Sequence, residues 1–163
     1  MANSTVHLTL LPQPRTLHPL AWEFPLPRAA LIKIIARQPQ ALLFSETQFQ
    51  QSLKKEHGLH WEIAASGFEP GAALRLVLDP GATGGPQGYC LAILPEGITI
   101  TASDAAGIFY GLATLRQIAS QARRANLPCL EIVDAPDFPA RGVMLDISRD
   151  KVYTMETLYA LVD

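Results

Sequence analysis

Apolar side chains fall on every second position in four runs of the chain: Leu59, Trp61 and Ile63; Leu74, Leu76 and Leu78; Tyr89, Leu91 and Ile93; and Ile98, Ile100 and Ala102. A period of two is the signature of a strand with one buried face, so each run predicts a strand. Val6, Leu8 and Leu10 alternate with His7 and Thr9 in the same way and predict an earlier one. The run LIKIIA at 31–36, β-branched and soon followed by Pro39, predicts another. After Ala102 the period changes. Ile108, Leu112, Leu115 and Ala119 recur at helical spacing, Arg116, Ser120, Arg123 and Arg124 fall on another side, and Ser103 or Asp104 supplies the N-cap. Gly107 and Gly111 lie four apart on a third side of this helix. Each costs about 1 kcal/mol of helix propensity relative to alanine, which predicts a helix packed on two sides with close backbone approach at the glycines.

A second helix is predicted from Ser45, with Gln48 completing a capping box and Phe44 and Phe49 placed as a hydrophobic staple. It runs to about His57, buries Phe49 and Leu53, carries Lys54 and Lys55 near its end and stops at a left-handed Gly58, although a start one turn earlier near Gln40 stays open. Five prolines between Pro12 and Pro27 predict an extended surface connector. Pro95, Glu96 and Gly97 close a tight antiparallel hairpin, and the loop DPGATGGPQG reads as another hairpin connection. The elements describe an α+β fold, a largely antiparallel sheet with two helices on one face.

A brief strand at Leu130–Val133 leads to the stiff boundary DAPDFP. Beyond it GVMLDI, Gly142 to Ile147, is a nearly continuous apolar run, as in strands buried on both faces of a parallel sheet. Thr154 then opens a helix with Met155, Leu158, Tyr159 and Val162. This β/α pattern is still running at Asp163, which reads as a truncated second unit.

Composition narrows the function. A net charge of −2 with 17% charged residues leaves no basic stripe for nucleic acid, and no apolar run approaches the 18 or so residues of a membrane span. Cys90 and Cys129 are too few for a disulfide framework and read as reduced and structural. With no signal-like N-terminus the expected location is cytoplasmic. Glu56-His57-Gly58-Leu59-His60 is not the zinc motif H-E-x-x-H, and Gly58 would break the helix that motif needs. The glycines from Gly81 to Gly88 lack the ending of a phosphate loop, and Asp134 and Asp137, beside prolines, read as turn caps. No cofactor and no metal is expected. Arg149, on its residues alone, reads as an ion-pair partner of Asp146 or Asp150.

Three blocks appear in order: GYCLAI at 88–93; ITITA at 98–102 leading into GIFYGLATLRQI at 107–118; and DFPARGVMLDISR at 137–149. Together they resemble glycoside hydrolase family 20, the β-N-acetylhexosaminidases. The resemblance implies that residues 1–137 are the noncatalytic, zincin-like N-terminal accessory domain. It implies that residues 138–163 are the first strand and helix of a catalytic (β/α)8 barrel, truncated here. The family's Asp-Glu pair, which orients the substrate acetamido group as nucleophile and protonates the leaving group, would lie downstream of Asp163. No catalytic residue is therefore expected in this chain. Arg149 alone carries over, as the arginine that binds hydroxyls of the terminal sugar at the end of a barrel strand. The implied partner is a carbohydrate with a terminal N-acetylhexosamine, engaged through the barrel, and the orphaned barrel segment would favour self-association. The other reading is a noncatalytic carbohydrate-binding or scaffolding module of a degenerate glycosidase homologue.

Overall fold

The computed structural model describes residues 8–65, 71–82, 84–122, 126–146, 148 and 152–162. The strands are β1 (Thr16–Pro25), β2 (Ala29–Ile35), β3 (His60–Ala64), β4 (Leu74–Leu78), β5 (Tyr89–Leu94), β6 (Gly97–Ala102) and β7 (Asn126–Asp134). The helices are α1 (Leu43–His57), α2 (Ala105–Ser120) and α3 (Met155–Val162). Val6 and His7, Arg123 and Arg124, and Ile147 and Arg149 lie outside the described residues.

The strands form one sheet in the order β1-β7-β5-β6-β4-β2-β3. Its three pairings from β1 to β6 are antiparallel and its three from β6 to β3 are parallel, so the sheet is mixed where a largely antiparallel one was expected. One of the parallel pairs has a helical crossover as its cause. α1 returns the chain from the end of β2 to the start of β3, and such a crossover makes neighbouring strands parallel. Parallel strands usually betray themselves by continuous apolar runs because both faces are covered. Here β2, β4 and β6 alternate, since the helices cover one face only.

On the covered face Ile34, Leu76, Ile100, Leu91 and Ile132 stand in register across five strands, all buried. The next row, Ile32, Leu74, Ile98, Ile93 and Leu130, repeats the arrangement. Each such side chain removed from water contributes about 1.5–3 kcal/mol. α2 lies over these rows against β4, β5 and β6, while α1 packs on β3 and on α2. Lys33, Arg75, Thr99 and Glu131 alternate onto the opposite face.

α2 follows the sequence closely. Asp104 is its N-cap, accepting from the Gly107 amide at 2.8 Å, and Ile108, Leu112, Leu115 and Ala119 are buried. A Cβ at Gly107 would land on the Gly88 carbonyl oxygen and lie 2.8 Å from the Ala102 Cβ, and one at Gly111 would lie 2.6 Å from Ile100 Cγ2. The glycines let this helix sit against β5 and β6. α1 keeps its expected end at a left-handed Gly58 (φ 65°) but not its capping box. A 3₁₀ turn, Pro39–Ala41, feeds directly into the helix through Leu42, which leaves Ser45 inside the first turn rather than before it.

Three further expectations are corrected. The proline-rich stretch contains β1, whose pairing with β7 shifts register between Pro19 and Glu23; an edge strand with a bulge tolerates missing amide donors. Leu8–Leu10 form no strand. Instead, Gln117 of α2 and its C-cap Gln121 each take the place of a strand partner. Gln121 Oε1 accepts from Thr9 N at 2.9 Å while its Nε2 donates to Thr9 O at 2.8 Å; Gln117 does the same for Leu11, both at 2.9 Å. Four residues of helix rise about 6 Å and two of extended chain about 6.6 Å, so the two glutamines match alternate backbone units. Finally, DPGATGGPQG is not a hairpin connection, because β6 lies between β4 and β5.

Residues 142–146 form no strand, with Val143 86% and Met144 91% exposed. A run suited to burial on both faces needs a sheet covered above and below, and the seven-stranded sheet does not include these residues. Thr154 does open a helix, its Oγ1 accepting from Thr157 N at 3.2 Å.

Candidate functional site

Acidic residues that could be mistaken for chemistry have structural partners. Asp134 Oδ1 accepts from the Arg15 amide at 3.1 Å and its Oδ2 from the Tyr89 hydroxyl at 3.3 Å, while Asp137 pairs with the Arg15 guanidinium at 2.7 Å. Rather than capping turns of their own, the two aspartates fasten the approach to β1 onto the end of β7. Glu56 accepts from Arg116 Nε at 3.0 Å and Nη2 at 2.5 Å, joining α1 to α2. Among the described residues no group of three or more His, Cys, Asp or Glu side chains could hold a metal ion. No helix there is long and apolar enough to cross a membrane. Cys129 is a buried free thiol whose pKa burial pushes up, consistent with a packing role.

The glycine loop uses its polar groups internally. The Gly85 carbonyl accepts from Ser103 Oγ at 2.9 Å, and the Gln87 amide donates to Asp104 Oδ2 at 2.7 Å. Asp104 therefore caps α2 with one oxygen and holds the loop with the other.

Two features converge on α2. At its N-terminal end, Arg141 Nη2 donates to Tyr110 Oη at 2.6 Å and Gln87 Oε1 at 3.1 Å, and Nη1 donates to the Phe138 carbonyl. Arg141 Cζ also lies 5.1 Å from the Tyr110 ring centroid. Sequence reasoning assigned no role to Gln87 or Tyr110; a glutamine set among glycines was the available signal. Farther along, an open groove runs between α1 and α2, lined by Phe44, Phe109, Leu112, Ala113 and Arg116. Phe44 is 69% exposed and Phe109 43%. Its lining mixes these apolar side chains with the Glu56–Arg116 ion pair and the polar Ser45, Gln48, Gln117 and Ser120.

Among the described residues one buried acid is perturbed. Burial pushes Glu46 up to about 7, and both its oxygens are enclosed without a hydrogen-bond partner. At 0% exposure it cannot exchange a proton with a bound substrate. Arg149, the one site residue expected from sequence, lies outside the described residues.

Comparison with known proteins places the fold in a family. The family described as "Glycosyl hydrolase family 20, domain 2" matches residues 7–135. The chain is 36% identical over 75 residues to N,N'-diacetylchitobiase of Vibrio harveyi, covering 46% of this chain and 8% of that protein. It is 40% identical over 63 residues to a β-hexosaminidase of Akkermansia muciniphila, covering 37% and 13%. In structure it resembles the Vibrio harveyi family 20 exo-β-N-acetylglucosaminidase solved with N-acetylglucosamine, with a TM-score of 0.77 at 23% identity over 99% of this chain and 25% of the other. A Streptomyces plicatus β-hexosaminidase in complex with GlcNAc gives a TM-score of 0.69 at 28% identity, over 90% and 31%. The chain thus spans a third or less of the length of each of these relatives.

Proposed function

The chain belongs to glycosyl hydrolase family 20, and on that premise we propose that residues 1–137 are a noncatalytic accessory domain and residues 138–163 the start of a catalytic (β/α)8 barrel. The observation that carries this reading is that the domain 2 match stops at residue 135, at the threshold of the proline-flanked boundary. The parent protein removes terminal β-linked N-acetylhexosamine by substrate-assisted, retaining hydrolysis, a reading supported by the names of the relatives. Its general acid and the residue orienting the acetamido group lie downstream of Asp163. The 163-residue chain is then expected to give no turnover of an aryl β-N-acetylglucosaminide. Turnover by the purified chain, free of host hexosaminidase, would overturn the noncatalytic assignment.

Within the parent, Arg149 binds the terminal sugar. A guanidinium donates in a fixed fork to two neighbouring hydroxyls, which lysine reproduces poorly, so Arg149→Ala and Arg149→Lys both lower kcat/KM. Hydrogen bonds from a charged group are worth about 1.5–3 kcal/mol, which corresponds to a loss of roughly 10-fold to 150-fold. Normal kinetics with a large loss of stability would instead make Arg149 a structural charge. The exposed apolar residues Val143, Met144, Met155 and Tyr159 support a further role for residues 142–162 in packing, on the barrel in the parent and on another copy in this chain alone.

A further inference from the structure

Gln87 is the one non-glycine residue with a left-handed backbone among the described residues, at φ 63°. It sits in a loop where Gly84 and Gly85 also have positive φ, at 114° and 72°, and where a glycine would meet no steric objection. A side chain kept in a conformation that disfavours it points to a use for that side chain. The use is visible at the boundary. Gln87 Nε2 donates to the Pro139 carbonyl at 2.9 Å, and its Oε1 accepts from Arg141 Nη2 at 3.1 Å. One amide thus grips the connecting segment at two points two residues apart.

The supports of this grip are fixed on the other side. Gln87 N is held by Asp104 Oδ2 at 2.7 Å, and Asp104 is also the N-cap of α2. Tyr110, the other acceptor for Arg141, projects from the second turn of the same helix. Pro136 and Pro139 restrict the backbone of the segment itself. Beyond it, residues 142–146 have no regular secondary structure and are exposed.

We propose that Gln87, Tyr110 and Arg141 form a clamp that fixes the direction in which the chain leaves the seven-stranded domain. The clamp acts on the boundary and contributes little to the domain's own fold. This inference stands on the contacts at residues 138–141 and does not require the next unit to be a barrel.

Trypsin reads the clamp directly. Cleavage after Arg141 requires its guanidinium to leave Tyr110 and Gln87 and enter the protease pocket, so the cleavage rate reports clamp opening. In the intact 163-residue chain, Gln87→Gly and Tyr110→Phe are each expected to raise the rate of cleavage after Arg141 by about fivefold, the factor of one ordinary hydrogen bond. The rate is referred to cleavage after the exposed Arg37 and read by mass spectrometry. The thermal midpoint is expected to stay unchanged, or to rise in Gln87→Gly, where the disfavoured conformation is relieved. An unchanged cleavage ratio in both variants would overturn the clamp. Faster cleavage accompanied by a fall in midpoint would overturn it too, because the residues would then be holding up the domain rather than the boundary.

Discussion

Glu46 shows how a residue can be conspicuous in the structure and ordinary in the sequence. Nothing in Ser45-Glu46-Thr47-Gln48 marks it for burial, yet it is fully buried without a partner. Three residues before Phe49 and seven before Leu53, it shares the core-facing stripe of α1. Burial raises its pKa from 4.5 to about 7, so between those values the folded chain holds a proton that the unfolded chain has released. Its contribution favours folding most below about pH 4.5 and is lost as pH rises through about 7. The shift of about 2.5 corresponds to about 3 kcal/mol in all. Glu46→Gln is expected to remove this slope, so that its stability relative to the parent chain rises between pH 5 and pH 8 in urea unfolding. An identical pH dependence in both proteins would show that Glu46 does not titrate in this range.

Among the elements, α2 was the most legible because its determinants are local: a cap at Asp104, apolar residues at helical spacing, and two glycines with no other reason to be in a helix. Gly107→Ala separates propensity from packing. Alanine should gain about 1 kcal/mol as a helix former, but its Cβ meets the Gly88 backbone carbonyl, which cannot rotate aside as a side chain could. Overpacking costs about 1–3 kcal/mol, so a net loss of up to about 2 kcal/mol is expected in denaturant unfolding. Equal or greater stability would mean that the helix does not approach the sheet this closely. The elements that escaped the sequence depend on distant partners. β1 is a strand because β7 offers it an edge despite Pro19, and Thr9 and Leu11 have their backbone groups satisfied by Gln117 and Gln121, more than 100 residues away. Alternation predicts that a segment is extended; it does not say whether a strand or a helix side chain will pair with it.

For the whole molecule, the family was more legible than the sheet. The family blocks could be read directly, whereas strand order and direction depend on crossovers that leave no mark in a period of two. Arg149 could be reached only through the resemblance. The central claim is that residues up to the boundary form a folded unit whose core is complete without the second unit. The rows of buried residues from Ile34 to Ile132 and from Ile32 to Leu130 lie within it. The most direct measurement is chemical unfolding of the chain ended after Ala140, beside the 163-residue chain. Removal of 141–163 is expected to leave one cooperative transition, with stability within about 0.5 kcal/mol, as for changes away from a core. Loss of the cooperative transition, or a fall of more than about 2 kcal/mol, would contradict the claim and place part of the core beyond residue 140.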